Sequence, residues 1–201
     1  MKKGDALVRI KGRTGSILTG ERTVLNFLGH MCGVATKTKE LTSLLKGTAI
    51  KILDTRKTMP GFRVLDKYAV RSGGGENHRM GLYDMVLIKD NHIKAAGGIA
   101  EAVVKARSAY GDKYKIEVET TNIDEVREAL SQDIDIIMLD NMDRKTMKMA
   151  VNIIAGKRKI DASGNMDIKK IRQIRDFRID YISIGAITHS VNSLDLSMKF
   201  Y

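Results

Sequence analysis

The chain has 201 residues, of which 43% are hydrophobic and 29% are charged, and its net charge is +11. This length fits one domain, or one domain with a small appendage. The positive charge suggests an anionic partner: nucleic acid, an acidic membrane surface or acidic small molecules. Aromatic residues make up only 5% of the chain and tryptophan is absent, so stacking platforms for single-stranded nucleic acid are poorly supplied.

Other features of the composition exclude further classes of protein. A single cysteine, Cys32, excludes an internal disulfide and fits a reducing compartment. No stretch reaches the roughly 18 apolar residues that a membrane-spanning helix needs. Lys2 and Lys3 are followed by Gly4 and Asp5 and not by an apolar segment, so no secretory signal is predicted. We therefore expect a cytoplasmic protein.

The N-terminal part of the chain predicts two short strands and then helices. Hydrophobicity alternates over residues 6–10, and residues 16–19 form a second candidate strand. Two strands alone are marginal in water, so residues 1–20 are interpreted as part of something larger. From there the apolar positions take a helical spacing, which predicts linking helices over residues 21–46.

Residues 47–190 alternate between apolar strands and amphipathic helices. The predicted strands cover residues 49–53, 85–88, 116–118, 134–139, 160–162 and 181–184. The predicted helices cover residues 99–110, 123–131, 144–154 and 167–177, with caps expected at Asn122, Asp143 and Asn165. Such alternation is typical of an α/β fold with a parallel sheet. A last strand is predicted over residues 191–201.

The length of this repeating region selects the architecture. A full barrel of eight units needs roughly 250 residues, so residues 47–190 suit six or seven units. We predict an incomplete, six- to seven-stranded parallel α/β barrel. A doubly wound sheet is the alternative, although its GxGxxG fingerprint does not follow the first strand.

Each predicted strand of this region ends in a polar residue or a glycine. In βα folds the carboxyl ends of the strands carry the chemistry, so these residues are expected to form a ring around one pocket. The ring consists of Asp54, Lys89, Glu119, Asp140, Ser163 and Gly185.

A cation-rich stretch, residues 54–92, begins at the end of the first strand. It contains Arg56, Lys57, His78, Arg79 and Lys89, together with three consecutive glycines. Cations this close repel one another unless an anion or interleaved acids neutralise them. A solvated basic face is one interpretation. The other is a wall for a ligand with several negative groups, since arginine forks pair bidentately with carboxylates.

Two further groups complete the predicted pocket. Glu119 and Asp140 follow consecutive strands and could hold Mg²⁺, accept hydrogen bonds from sugar hydroxyls, or work as an acid/base pair. Small residues after the last two strands expose backbone N–H groups to a phosphate, and His189 could donate to the same phosphate. The phosphate residues are Ser163, Gly164 and Gly185.

Six motifs, in this order along the chain, resemble those of a known protein family. They are TGERTVLNFLGHMCGVAT, the stretch DTRKTMPGFRVLDKYAVRSGGGENHRMGLYDMVLIKDNH, IEVET, IIMLDNM, ASGN and ISIGAITHS. Over nearly all its length the chain resembles quinolinate phosphoribosyltransferases, also called carboxylating nicotinate-nucleotide pyrophosphorylases. The resemblance implies that quinolinate and phosphoribosyl pyrophosphate give nicotinate mononucleotide, pyrophosphate and CO₂ with Mg²⁺, a step towards NAD.

The resemblance also implies roles for individual residues. The two quinolinate carboxylates would be held by Arg56, His78, Arg79 and Lys89, with Lys57 close to the pyrophosphate. Catalysis would involve Lys57, Glu119 and Asp140, the last two facing the ribose hydroxyls and Mg²⁺. The 5′-phosphate would be seated by Ser163, Gly164, Gly185 and His189. Arg22 matches an arginine that reaches into the neighbouring subunit's site, so a homodimer or higher homo-oligomer is implied.

The family's fold is an incomplete α/β barrel with a separate N-terminal α/β sandwich domain, of which residues 1–20 would be remnant strands. Family chains begin well before this one, so we expect an N-terminally truncated member. Three explanations remain open: an inactive fragment, a missing part supplied in trans, or a misassigned start. A paralogue found with molybdate transport genes and a nucleic-acid-binding module driven by the charge are the other hypotheses.

Overall fold

The computed structural model describes residues 4–200, in which six parallel strands form one sheet with helices outside it. The strands are β1 Lys51–Leu53, β2 Val86–Ile88, β3 Ile116–Thr120, β4 Ile136–Asp140, β5 Lys159–Ser163 and β6 Tyr181–Ser183. The helices are α1 Thr14–Leu44, α2 Arg63–Ser72, α3 Asp90–Ala96, α4 Ile99–Tyr110, α5 Ile123–Leu130, α6 Arg144–Ile154, α7 Ile168–Ile174 and α8 Ala186–His189. Each of the six predicted strands is confirmed, with bounds within two residues.

The strand order shows an open barrel. It runs β1-β6-β5-β4-β3-β2, so strands β2 to β6 are neighbours in chain order and β1 lies beside β6. A closed barrel would also pair β1 with β2, and here that pair is missing from the sheet. The predicted incomplete barrel is confirmed, and the doubly wound alternative, whose strand order reverses at a switch point, is wrong.

The open edge of β1 is covered by the segment that follows the three glycines. The backbone N–H of Glu76 donates to the Ile52 carbonyl (2.8 Å), and the Asp54 N–H donates to the Glu76 carbonyl (3.3 Å). This single parallel bridge satisfies backbone groups that would otherwise be unpaired on the sheet edge.

The two faces of the strands differ in character, as strand alternation requires. One face packs against the helices through fully buried side chains such as Val118, Ile137, Leu139 and Ile182. Burying each such side chain stabilises the fold by about 1.5–3 kcal/mol. The other face is turned to the inside of the barrel. Its polar residues, in chain order, are Glu117, Glu119, Asp140, Asp161, Ser163 and Ser183.

Two of the three predicted helix caps are confirmed. The side chains of Asn122 and Asp143 accept hydrogen bonds from Glu125 N (2.9 Å) and Thr146 N (2.7 Å). The prediction for Asn165 is wrong. Asp167 caps α7 instead, which frees Asn165 for a left-handed turn at the end of β5.

The strands predicted near the N-terminus are wrong. Residues 6–10 are not in a strand, and residues 16–19 lie within α1. Alternating hydrophobicity becomes a strand only where a neighbouring edge accepts its hydrogen bonds, and residues 4–200 present no such edge to this segment. The linking helices predicted over residues 21–46 are one continuous helix, α1. Residues 1–3 lie outside the described part of the chain.

The strand predicted over residues 191–201 is wrong for residues 191–200; Tyr201 lies outside the described residues. This segment instead lies along α1, where the Leu194 N–H donates to the Gly29 carbonyl (3.0 Å). A Cβ on Gly33 would come within 2.3 Å of the Asn192 carbonyl oxygen. Gly29 and Gly33 therefore allow the close approach of this second chain segment. Among residues 4–200 no helix is both long and apolar enough to cross a membrane.

Substituting Gly33 by alanine is expected to destabilise the protein by about 1–3 kcal/mol, because the added methyl group overlaps the backbone at Asn192. The measurement is a denaturant-unfolding curve. Gly20→Ala is the matched control: it adds the same methyl group to α1 where no atom lies within 4 Å. Helix propensity should make that variant more stable by about 1 kcal/mol. Equal destabilisation of both variants would contradict the close contact.

Candidate active site

A pocket of about 350 Å³ opens at the carboxyl ends of the strands. Every predicted site residue except one lines it. These residues are Arg56, Lys57, His78, Arg79, Lys89, Glu119, Asp140, Ser163, Gly164, Gly185 and His189. The exception, Arg22, is exposed on α1 and is not among the residues that line this pocket. The structure thus places basic and acidic groups around one cavity. Five of the six predicted strand-end residues line it, whereas the sixth, Asp54, is fully buried in an ion pair with Lys67.

Arg79 is the most buried cation of the pocket, with 9% of its surface exposed. Its Nη1 donates to the Met85 carbonyl (3.1 Å), while its buried Nε has no hydrogen-bond partner. Burial, followed by the charge of Arg56, lowers the pKa of Arg79. A buried donor without a partner is costly, so this guanidinium is suited to receive an anionic ligand.

His78 lies between the pocket and the barrel interior, with both ring nitrogens engaged. The backbone N–H of Arg79 donates to Nδ1 (2.7 Å), so Nδ1 is an acceptor and the proton is on Nε2. Nε2 then donates to Glu117 Oε2 (2.8 Å). Burial is the main cause that lowers the pKa of His78, which favours this neutral form. A direct contact of His78 with a ligand carboxylate would therefore require one of these bonds to be exchanged.

Two buried carboxyl groups lie behind His78, on β3 and β5, and the sequence analysis missed them. Asp161 accepts from Ser183 Oγ (2.5 Å) and Ser183 N (3.0 Å), while Glu117 Oε1 is buried without a donor. Burial raises the pKa of Glu117 to about 7 and that of Asp161 well above its usual range. Two adjoining buried carboxyl groups cannot both ionise easily, so the pair retains a proton near neutral pH.

The spacing of this interior cluster would also suit a cation, because ligand atoms of His78, Glu117 and Asp161 lie within 4.8 Å of one another. Hydrogen bonds within the protein already occupy most of these atoms. A retained proton on the carboxyl pair accounts for the remaining Glu117 oxygen. We therefore interpret the cluster as a polar network of the barrel interior. Its signal in the sequence was the two-residue spacing from Glu119 and from Ser163, which puts these acids on the pocket-facing side.

Glu119 and Asp140 form the acidic side of the pocket. Burial raises the pKa of Glu119; Lys89 opposes this shift and Asp140 adds to it. Lys89 Nζ lies 3.7 Å from Glu119 Oε2, and Asp140 Oδ2 accepts from Asn141 Nδ2 (2.6 Å). The mutual repulsion of two carboxylates is relieved by a cation between them, so this donor set fits Mg²⁺.

Small residues after β5 and β6 leave room beside the acidic side. Gly164 has φ +93°, and a Cβ there would lie 2.4 Å from the Asn141 nitrogen, so only glycine fits. A Cβ on Gly185 would lie 3.1 Å from both Lys57 Cδ and His189 Nε2. The side chains of Lys57 and His189 thus flank Gly185. His189 Nδ1 contacts Ser190 Oγ (2.6 Å), which leaves Nε2 on the pocket side.

The open barrel and this pocket define an α/β-barrel protein with a charged site for anionic ligands. The model of the family "Quinolinate phosphoribosyl transferase, C-terminal domain" matches residues 34–199. The model of the corresponding N-terminal domain matches residues 1–32. The chain belongs to the quinolinate phosphoribosyltransferase family.

Curated relatives and solved structures give the same assignment. The chain is 45% identical over 198 residues to the probable nicotinate-nucleotide pyrophosphorylase (carboxylating) of Bacillus subtilis, covering 98% of this chain and 68% of that protein. It is 44% identical over 216 residues to the mitochondrial quinolinate phosphoribosyltransferase (decarboxylating) 2b of Nicotiana tabacum, covering 98% and 61%.

The crystal structure of NadC from Streptococcus pyogenes superposes with a TM-score of 0.90 at 43% identity, covering 100% of this chain and 72% of that one. The nicotinate-nucleotide pyrophosphorylase from Francisella tularensis gives a TM-score of 0.87 at 49% identity, covering 92% and 65%. The chain therefore spans roughly two thirds of the length of the relatives that it matches.

Proposed function

We propose that the protein transfers a phosphoribosyl group from phosphoribosyl pyrophosphate to quinolinate, with loss of CO₂, to give nicotinate mononucleotide and pyrophosphate. The observation that carries this proposal is that strongly basic and acidic groups line one pocket. Buried Arg79 with its free Nε lines it, and so do Glu119 and Asp140. A diacid and a sugar phosphate need these two environments next to each other.

The basic side would bind the pyridine diacid. Arg56, Arg79 and Lys89 supply positive charge for the two carboxylates, and Arg79 is positioned before the ligand arrives because it is buried. Such preorganisation lowers the free-energy cost of binding. His78 is proposed to contact the same ligand from its position beside Arg79. Two anions would otherwise repel each other in the pocket, so the basic side also allows both substrates to bind together.

The acidic side and the glycine positions would bind the sugar phosphate. Glu119 and Asp140 would accept hydrogen bonds from the ribose hydroxyls and hold Mg²⁺. When bound, that ion neutralises charge on the departing pyrophosphate. Lys57 lies beside Gly185 and would stabilise the same leaving group. The residues proposed to seat the 5′-phosphate are Ser163, Gly164, Gly185 and His189.

The chemistry follows from this placement. The ring nitrogen of quinolinate forms a bond to C1 of the ribose as the bond to pyrophosphate breaks. Positive charge develops on the ribosyl group, and the carboxylates of Glu119 and Asp140 favour it electrostatically. The ring nitrogen is positive after this step. The 2-carboxylate then leaves as CO₂, its electron pair stays on ring carbon 2, and that carbon takes up a proton. This second step needs no base from the protein.

The proposed assembly is a homodimer or higher homo-oligomer in the cytoplasm, in which Arg22 completes the site of a neighbouring subunit. The position of Arg22, exposed on α1 and away from the pocket of its own chain, supports this proposal. The decisive test of the function is the release of nicotinate mononucleotide from the two substrates with Mg²⁺. Calorimetric titration with quinolinate distinguishes it from a paralogue that does not bind the diacid, and absence of both results would refute the proposal.

Substituting Gly185 by alanine should raise the Kd for ribose 5-phosphate about tenfold. The added methyl group would displace Lys57 and His189 from positions beside the phosphate, and one charge-assisted hydrogen bond lost is worth about 1.5 kcal/mol. Folding should be unaffected, because φ at this position is −68° and both displaced groups are side chains. Titration calorimetry measures the change, with Gly20→Ala as the control; unchanged affinity would argue against a phosphate seat here.

A further inference from the structure

The basic side of the pocket is built from two separate segments. Arg56 and Lys57 follow β1, whereas His78 and Arg79 follow α2. The segments are far apart in sequence, so something must hold them in register. The residues that do so, Asp54 and Lys67, do not line the pocket themselves.

Asp54 and Lys67 form a fully buried ion pair, with 0% and 1% of their surfaces exposed. Lys67 Nζ makes a short hydrogen bond to Asp54 Oδ1 and a second to the His78 carbonyl (2.9 Å). The His78 N–H donates to the same Asp54 oxygen (2.9 Å). The backbone of His78 is thus held on both sides, by the aspartate at its N–H and by the lysine at its carbonyl.

Asn77 closes the network. Its Nδ2 donates to Asp54 Oδ2 (2.5 Å) and to the Lys67 carbonyl (2.9 Å). Both Asp54 oxygens therefore accept hydrogen bonds within the protein, and the Lys67 ammonium donates two. The network joins the end of β1, the middle of α2 and the segment that crosses the open edge of the barrel.

The network also restricts the backbone of Arg79. The carbonyl held by Lys67 belongs to the peptide bond whose N–H is that of Arg79, and this N–H donates to His78 Nδ1. The backbone from which the Arg79 side chain leaves is therefore fixed before any ligand binds. A buried ion pair is weak evidence for stability, because apolar residues of similar volume often serve as well. Here the geometry of the ion pair fixes the position of the His78 backbone.

We infer that Asp54 and Lys67 are positioning residues that set the affinity of the pocket for a dicarboxylate, acting through the backbone of His78 and Arg79. The inference rests on the proposed function, since quinolinate is the diacid that the basic side would bind. It assigns no contact with the ligand to either residue. It also predicts that only the basic half of the pocket depends on the network, because the network does not touch the glycine positions after β5 and β6.

The test is a double substitution, Asp54→Asn with Lys67→Met, which keeps side-chain volume and leaves no unpaired buried charge. Titration calorimetry with pyridine-2,3-dicarboxylate and with ribose 5-phosphate is performed on the full chain. We expect the Kd for the diacid to rise about 10- to 100-fold, since small displacements of positioned groups have effects of that size. The Kd for ribose 5-phosphate should stay within about twofold.

Two further variants make the result interpretable. Lys37→Met with Glu40→Gln removes an exposed ion pair of α1 (2.8 Å) and should leave both affinities unchanged. Asn77→Ala retains the buried ion pair and serves if the double variant unfolds below the assay temperature. It removes two hydrogen bonds of the network and should raise the Kd for the diacid about 3- to 10-fold.

The possible outcomes are distinct. A folded variant that binds the diacid as tightly as the unsubstituted protein overturns the inference. So does an equal loss of affinity for both ligands, which would show a general structural effect. If the unsubstituted protein binds ribose 5-phosphate but not the diacid, the proposed function fails and this inference falls with it.

Discussion

Replacing Arg79 by alanine is expected to lower kcat/KM about 10²- to 10³-fold, the effect of removing a positioned charge-stabilising donor. Arg79 is the most buried cation of the pocket, and its free Nε faces no protein acceptor. Removing it takes away a binding group that is held in place before the ligand arrives. The measurement is a steady-state assay of nicotinate mononucleotide formation, together with calorimetric titration of quinolinate.

The control for this substitution is Arg71→Ala, which removes an exposed arginine of α2 outside the pocket and should leave kcat/KM unchanged. The Kd for quinolinate should rise with the loss of activity for Arg79→Ala, while the melting temperature of that variant stays close to that of the unsubstituted protein. A value of kcat/KM near that of the unsubstituted protein would remove the main support for the diacid site.

The stability of the protein is expected to depend on pH through the buried carboxyl group of Glu117. The pKa of Glu117 is raised by burial from its ordinary 4.5 to about 7, so the folded protein retains a proton that the unfolded chain releases. Its contribution to stability is complete below pH 4.5 and is lost as the pH rises through 7. From that shift, the free energy of unfolding should fall by up to about 3 kcal/mol over this range.

Glu117→Gln removes the titrating proton, so this part of the pH dependence should disappear. The variant should gain stability relative to the unsubstituted protein as the pH rises from 4.5 to 8, as measured by denaturant unfolding at several pH values. Thr120→Val is the matched control on the same strand. It removes a buried hydrogen bond to the Met138 carbonyl but no titrating group, so its cost should not vary with pH. Parallel curves for Glu117→Gln and the unsubstituted protein would contradict the raised pKa.

Much of the barrel could be predicted because its signals are local. The helices over Ile99–Tyr110 and Arg144–Ile154 have the predicted bounds, since apolar spacing and flanking caps or glycines mark both ends. The short helix α2 was missed, because its sequence is part of the cation-rich stretch and its charged positions hide the apolar stripe. Two of its charged residues, Asp66 and Lys67, are buried against His30 and Asp54, which are contacts that only the tertiary structure provides.

The convergence of the site was predictable for a similar reason. Parallel strands bring their carboxyl ends to one side, so polar residues that end the strands must meet there whatever the details of packing. The buried carboxyl groups below the pocket could not be predicted in this way. Glu117 and Asp161 lie within predicted strands, where local pattern indicates only burial, and their pairing with His78 depends on a segment that enters from elsewhere in the chain.

The open edge of β1 determines how the segment that carries His78 and Arg79 enters the barrel. Among residues 4–200 no strand pairs with β1 on the side away from β6, and the peptide from Glu76 to Arg79 crosses this open edge of the barrel. From this edge, the imidazole of His78 contacts Glu117 on β3. Loops of a closed cylinder can approach its centre only from the rim. Strand number and ligand chemistry are therefore coupled in this architecture, because a strand added at this edge would displace His78 and Arg79 from the pocket.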